Sequence, residues 1–185
     1  MPAHGCHEDT LATIHGVRTI LLAGNPNSGK STLFNALTGA HQHVGNWPGK
    51  TVEIREGAWH VGGLQLRVID LPGSYSLNAH TPEEAIARDA ILTSGADLVV
   101  ITADAANLER NLYLVMQILE MNVPVLLVLN MWDAACTAGI HIDIGSLSSR
   151  LGVPVVRTTL SKGEGLADLQ RLALEALEIA GAQPC

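Results

Sequence analysis

Val17-Arg18-Thr19-Ile20-Leu21-Leu22-Ala23, followed at once by Gly24-Asn25-Pro26-Asn27-Ser28-Gly29-Lys30-Ser31, decides the fold. The first stretch is mostly apolar, rich in β-formers and closed by glycine, so it reads as a short buried strand. From Lys30 to Gly39 the residues Leu33, Phe34 and Leu37 recur at helical spacing. Between strand and helix the eight residues from Gly24 fit G-x-x-x-x-G-K-[ST] in full. Glycines let a backbone curl around an anion, the N–H groups point inward, and the helix start adds its positive end. Lys30 supplies a point charge for β- and γ-phosphates. Ser31 offers a hydroxyl to Mg²⁺, a hard cation that prefers oxygen. Asn25, Asn27, Ser28, Gly29 and Thr32 complete the loop's candidate contacts. A glycine-rich turn that matches by chance is the bland alternative, and full register with the right flanks weighs against it.

Outward from this loop the pattern alternates. Residues 40–50 have no period and hold two Gly and a Pro, which predicts a loop. Thr51–His60 and Leu64–Ile69 are strand candidates around the turn signal Gly62-Gly63. Asp70–Thr81 reads as a second loop, and Pro82 fits the first turn of a helix capped by Thr81, with Glu83 and Glu84 near its positive end. Strands are expected at Asp97–Thr102, Val123–Leu129 and Val153–Val156. Helices are expected at Leu108–Met121, with Leu112, Val115 and Leu119 facing the core, and at Leu166–Ala180. Short helical pieces are expected within 131–151. Near-continuous apolar strands between helices imply a doubly wound, mostly parallel α/β sheet covered on both faces, with its ligand at the carboxyl ends of the strands.

Three further stretches can complete a nucleotide site. Asp70-Leu71-Pro72-Gly73 follows a strand. An acid there can hold Mg²⁺, and Gly73 lets a backbone N–H approach a γ-phosphate. Alone such a stretch is usually a turn, but downstream of a phosphate loop it carries weight. In Asn130-Met131-Trp132-Asp133 the Asp can accept two hydrogen bonds from guanine, whereas adenine would face it with an acceptor. Asn130 would brace the adjacent loops or reach the base, and the alternative for Asp133 is a helix cap. Thr51 can place its hydroxyl on Mg²⁺ once the preceding loop closes, or it merely starts a strand. Lys30, Thr51, Gly73 and Asn27 are the candidate catalytic residues.

The chain has 185 residues, and 11 Lys+Arg against 18 Asp+Glu give a net charge of −7. That balance argues against a nucleic-acid-binding surface as the main business. Apolar residues make up 47% and charged ones 16%, which fits one domain with a real core. Cys6, Cys136 and Cys185, far apart and odd in number, form no disulfide framework. The longest apolar runs fall well short of the ~20 residues of a membrane span. Residues 1–16 resemble no signal peptide, so a cytoplasmic setting is the default. The expected division is a flexible tail over 1–16, a folded domain over 17–180, and a second tail over 181–185. His4, Cys6, His7 and His15 in the first tail could ligate a metal, with a solvated tail as the plainer reading. His41 and His43 read as exposed loop residues.

With these elements in order the chain resembles G proteins of the Ras-like superclass. It is closely similar to one family, the cytoplasmic N-terminal G domain of bacterial ferrous iron transport protein B (FeoB). The carrying stretches are Gly24–Ser31, Val44–Glu53 (VGNWPGKTVE), Asp70–Leu77 (DLPGSYSL), Asn107–Leu114 (NLERNLYL), Asn130–Asp133 and Leu151–Val156 (LGVPVV), over about residues 17–175. The resemblance implies a P-loop G-domain that binds GTP and GDP and hydrolyses GTP slowly with Mg²⁺, held by Ser31, Thr51 and Asp70. It implies coupling to Fe²⁺ uptake at the cytoplasmic face of the bacterial inner membrane. The helical and membrane domains of the same parent polypeptide would be the partners, and homo-oligomers are a further expectation. Those domains are absent, so the chain reads as a fragment. The resemblance also implies K⁺ beside the β/γ-phosphates, held by Asn27 and the carbonyls of Gly45 and Trp47. The plain alternative for Asn27 is a turn residue. Glu83 and Glu84 match a pair in the family's second switch.

The chain departs from these patterns at three places. Ser74 stands after Gly73, where many GTPases carry a water-orienting Gln, and a serine is too short for that task. Arg55, Arg67, Arg88 and Arg110 lie in strand or helix candidates, none placed as a finger. Met131 replaces the usual Lys and would cover the base apolarly. Thr159-Leu160 replaces Ser-Ala in the last base loop, where the Leu160 N–H would reach guanine O6. Two other functions therefore stay open: a less selective NTPase that also uses ATP, and a nucleotide-gated interaction module with negligible turnover. Trp47 would cover the nucleotide or meet a neighbouring domain.

Overall fold

The computed structural model describes residues 17–39, 42–47 and 52–181. Thr51, His4, Cys6, His7, His15 and His41 lie outside these residues, as do 182–185, so the readings made on them have no structural counterpart here.

β1 (Thr19–Gly24) runs into α1 (Lys30–Thr38), then β2 (Gln42–Asn46), β3 (Glu53–Val61), β4 (Leu64–Asp70), α2 (Pro82–Thr93), β5 (Leu98–Asp104) and α3 (Leu108–Leu119). β6 (Val125–Asn130), α4 (Trp132–Thr137), α5 (Ile144–Leu151), β7 (Val155–Arg157) and α6 (Leu166–Gly181) follow. The strands form one sheet in the order β2-β3-β4-β1-β5-β6-β7. β4, β1, β5, β6 and β7 are mutually parallel, while β3 pairs antiparallel with both β2 and β4.

The central strands are apolar on both faces because both faces are covered. From β1, Ile20 and Leu22 enter a core with Leu33, Phe34 and Leu37 of α1 and Leu169, Ala173 and Leu177 of α6. Leu21 and Ala23 enter the opposite core, with Ala87 and Ala90 of α2 and Leu114, Val115 and Ile118 of α3. Phe34 is the chain's one phenylalanine and is fully buried, so truncation to Ala would cost roughly 3–5 kcal/mol. The α3 face differs slightly from the one expected. Val115 is buried as read, whereas Leu112 and Leu119 sit at the core's margin and Leu114 and Ile118 take their places.

Local signals explain the remaining boundaries. Gly62 and Gly63, with φ of 57° and 77°, form the two-residue turn between β3 and β4, both in the conformation a primed hairpin turn requires. Thr81 caps α2 by accepting the Glu84 N–H at 3.2 Å, with Pro82 in the first turn. One expectation fails. Residues 42–46, read as loop, form an edge strand on β3, with Gln42 opposite Gly57 and Asn46 opposite Glu53. Their single apolar side chain, Val44, is 65% exposed, so no alternation betrays the strand. Ladder hydrogen bonds hold it, not burial.

Candidate nucleotide site

β1, β4 and β6 end at the same edge of the sheet, and there a cavity of about 490 Å³ opens. Asn25, Pro26, Asn27, Gly29, Lys30, Ser31, Thr32, Gly73 and Met131 line it. The structure thus gathers residues from three separate stretches of sequence into one pocket.

The loop after β1 is shaped from below. Ser28 Oγ pairs with Thr102 Oγ1 of β5 at 2.7 Å, and the Ser28 N–H donates to the Asn25 carbonyl at 3.2 Å. Ser28 therefore braces the loop from the core side, and its side chain does not line the cavity. Gly29 has φ 95°, and a Cβ there would collide with Asn130 Nδ2, so no other residue fits. Asn27 adopts φ 66°, a conformation asparagine tolerates, which satisfies its reading as a turn residue. Asn25 is buried, and its Oδ1 has no hydrogen-bond partner.

The two charges of the site already meet. Lys30 Nζ donates to Asp70 Oδ1 at 2.5 Å, with both side chains at most a tenth exposed. Such a pair is costly to break from one side only, because a buried charge would be left behind. Gly73 abuts the phosphate loop, since a Cβ there would stand 3.3 Å from Pro26 Cα. Ser74 is buried and its N–H donates to the Gly24 carbonyl at 3.3 Å, so its side chain is withheld from the cavity. None of the four arginines named above lines the cavity. Arg67 is engaged by Glu56 and Arg110 lies over the Tyr75 ring.

On the base side Asn130 is a buried hub. Its Nδ2 donates to the Ser28 carbonyl at 3.0 Å, and its Oδ1 accepts the Leu160 N–H at 3.0 Å and the Thr158 hydroxyl at 3.3 Å. It ties the loop after β1 to the loop after β7, one of the two roles expected of it. The Leu160 N–H, expected to reach a base, donates to Asn130 in this structure. Thr159 is equally committed, its N–H to the Glu164 carbonyl and its carbonyl to the Lys162 and Glu164 N–H groups. Asp133 is accessible. Its Oδ2 meets Lys162 Nζ at 2.8 Å and its Oδ1 accepts the Ala134 N–H at 2.9 Å. The Lys162 hydrogen bond, followed by the Ala134 N–H, holds the carboxyl below the usual aspartate range, so it stays ionised to meet donors. Met131 lines the cavity at φ 59°, a conformation that costs on the order of 1 kcal/mol in a side-chain-bearing residue.

Gly45 and Trp47 are not brought to Asn27. Val44, Arg55, Asp70 and Leu22 form one lateral row across four strands, which puts β2 three strand spacings, about 14 Å, from β1. Gly45 sits one step along that edge strand. Trp47 donates its N–H to the Val52 carbonyl at 3.1 Å, and its side chain packs at the margin of the core beneath α2 and α3. It neither covers the cavity nor stands fully exposed. Of the glutamate pair in the first turn of α2, Glu84 takes the Ser76 hydroxyl at 2.8 Å and the His80 N–H at 3.1 Å. Sequence reasoning missed Thr102, Lys162 and Gln117. Thr102 was detectable as the one hydroxyl in the apolar run of β5, while the other two contacts depend on tertiary approach.

A seven-stranded, mostly parallel sheet with this loop after β1 defines an α/β P-loop domain of the G-domain class. Residues 18–173 match the family described as ferrous iron transport protein B, and the chain belongs to that family. It is 49% identical over 161 residues to the Fe(2+) transporter FeoB of Salmonella typhimurium, a match covering 85% of this chain and 21% of that protein. The chain therefore spans about a fifth of that relative's length. The G domain of the T. maritima FeoB iron transporter superposes with a TM-score of 0.81 at 46% identity, covering 86% of this chain and 98% of that one. The cytosolic domain of the same transporter in its GMPPNP form gives 0.84 at 46% identity, covering 88% and 64%. Among the described residues no helix is long and apolar enough to cross a membrane.

Proposed function

We propose that this chain binds guanine nucleotide in the cavity beyond β1 and hydrolyses GTP slowly, as the switch domain of a ferrous iron transporter. The convergence of Lys30 and Asp70 at the mouth of the phosphate loop carries the reading. The T. maritima relative in its GMPPNP form supports it. The loop N–H groups and the Lys30 ammonium would cradle the phosphates. The Asp133 carboxylate would read the guanine edge, and Asn130 would hold the loops around it. Asp70 and the Ser31 hydroxyl would offer oxygen donors of the kind that suits Mg²⁺, and the hydroxyl of Thr51, outside the described residues, would be a third. Bound there, Mg²⁺ would neutralise phosphate charge. Lys30, paired with Asp70 in this structure, would offer its ammonium to the phosphates, and Asp70 would be among the residues that hold the Mg²⁺.

K⁺ would be held by Asn27, Gly45 and Trp47 only after residues 42–47 leave the β3 edge. Segments of the parent polypeptide, helical and membrane-embedded, would receive the signal on the cytoplasmic side, with assembly of several copies a further part of this reading. The decisive experiment is phosphate release from GTP with Mg²⁺, in KCl and in NaCl at equal ionic strength. Faster turnover in K⁺, abolished in Asn27→Ala, is expected. Equal rates in both salts would remove the K⁺ role, and no turnover in either would leave a nucleotide-gated interaction module, the reading that the buried Ser74 favours. A less selective NTPase is favoured by the engaged Leu160 N–H. ATP competing effectively against labelled GDP would establish it.

A further inference from the structure

The segment after Gly73 has no regular structure, yet side chains of the flanking helices hold it at almost every residue. Gln117 of α3 accepts the Leu77 N–H through Oε1 at 2.8 Å and donates through Nε2 to Asn78 Oδ1 at 3.0 Å. One carboxamide thus serves two adjacent residues with its acceptor and its donor, as a neighbouring strand would. The Tyr113 hydroxyl stands 3.4 Å from Asn78 Nδ2, and the Arg110 guanidinium lies 4.2 Å from the Tyr75 ring centre. Positions 110, 113 and 117 share one helical face. Arg110 and Tyr113 belong to the NLERNLYL stretch, to which the nucleotide site assigns no role. From the other side Glu84 holds Ser76 and His80.

The start of the same segment rests on the phosphate loop, with Gly73 against Pro26 and the Ser74 N–H on the Gly24 carbonyl. The path from cavity to clamp is short and is tied at both ends. Ser74 is buried and does not line the cavity. We propose that Gln117 is a positioning residue for hydrolysis, one that sets the Gly73 backbone against the phosphate loop by fixing Leu77 and Asn78. This rests on the GTPase reading. Packing alone does not require a carboxamide here, since leucine fills a similar volume. The paired donor and acceptor are what a set position needs.

The test is Gln117→Leu in the 185-residue chain, read by GTP turnover, GDP affinity and amide hydrogen exchange at Leu77. Loss of both hydrogen bonds lowers kcat about tenfold while GDP affinity stays within about twofold, and the Leu77 amide exchanges faster. Gln117→Glu keeps the acceptor for Leu77 and recovers part of the rate. Asn78→Ala removes the other half of the clamp from an exposed site without touching α3, and lowers kcat less. Full turnover in Gln117→Leu despite fast Leu77 exchange would overturn the proposal. So would equal losses in kcat and GDP affinity, which mark a general loss of fold. Absence of turnover in the parent chain would overturn the GTPase reading and the catalytic role of Gln117 with it. Unchanged Leu77 exchange in Gln117→Leu would overturn the clamp alone.

Discussion

Two segments follow the phosphate loop along the chain, and they are built in opposite ways. Residues 42–47 form an edge strand, Gln42–Asn46, and the half-buried Trp47, and among the described residues the strand's one neighbour in the sheet is β3. Residues 72–81 have no ladder at all, yet they bury Leu77 and are tied to α2 and α3 by Glu84, Gln117 and Arg110. Regular secondary structure is thus a poor guide to which of the two is fixed. A lone edge ladder can be surrendered when a better set of partners arrives, at the cost of the contact that Trp47 makes at the margin of the core. A segment anchored by a core leucine and by side chains from two helices stays where it is. In this account the first segment moves to meet a nucleotide and the second waits in place.

The largest expected effect strikes the charge both segments would serve. Lys30→Ala leaves the Asp70 carboxylate buried without its cation, a loss of about 3–5 kcal/mol for a buried pair broken from one side. It also removes the phosphate contact, and GTP affinity should fall by more than about a hundredfold. Thermal melting and titration with a fluorescent nucleotide check both. Retained affinity would mean the cavity is not a phosphate site.

Gly73→Val sharpens the contrast from the fixed side. The added branches meet Pro26, so the segment must lift from the phosphate loop, and kcat should fall about tenfold or more while GDP affinity is nearly kept. Steady-state kinetics with GTP, beside GDP titration, would show it. A smaller effect is expected at the α2 end. The Ser76 hydroxyl chiefly, then the His80 and Thr81 N–H groups, hold the Glu84 carboxyl below its usual value of 4.5. A lowered folded-state value means that ionised Glu84 adds stability above about pH 4.5, lost as pH falls through the depressed value. Acid unfolding of Glu84→Gln should therefore lack part of the slope below that pH, and an identical profile would show that Glu84 holds nothing. The smallest effect belongs to Gly45→Val. Among the described residues no atom lies within 4 Å of a Cβ there and valine suits a strand, so stability should change by no more than about 0.5 kcal/mol. A large loss would show that the edge strand is packed after all.

What the sequence made legible follows from how local each signal is. The Gly24–Ser31 loop, the Gly62-Gly63 turn and the Thr81-Pro82 helix start are written in consecutive residues, and each appears where read. The apolar runs of β1, β5 and β6 declared a sheet covered on both faces. β2 escaped because a polar edge strand has no buried face and so no period. Ser28 and Leu160 were read as contacts to a ligand, and in the structure the Ser28 hydroxyl meets Thr102 and the Leu160 N–H donates to Asn130. Those bonds join residues far apart in the chain, and spacing alone cannot tell a donor aimed at a ligand from one satisfied within the fold. The same holds for Gln117, whose two partners lie about forty residues earlier.

Two single amides put the comparison to its most direct test. The Trp47 N–H donates to Val52 across the edge strand, and the Leu77 N–H donates to Gln117. Hydrogen exchange at both should be followed with and without Mg²⁺ and GMPPNP. A change in protection at Trp47 with Leu77 unaltered is the predicted result. Loss of protection at Leu77 while Trp47 keeps its own would contradict the account.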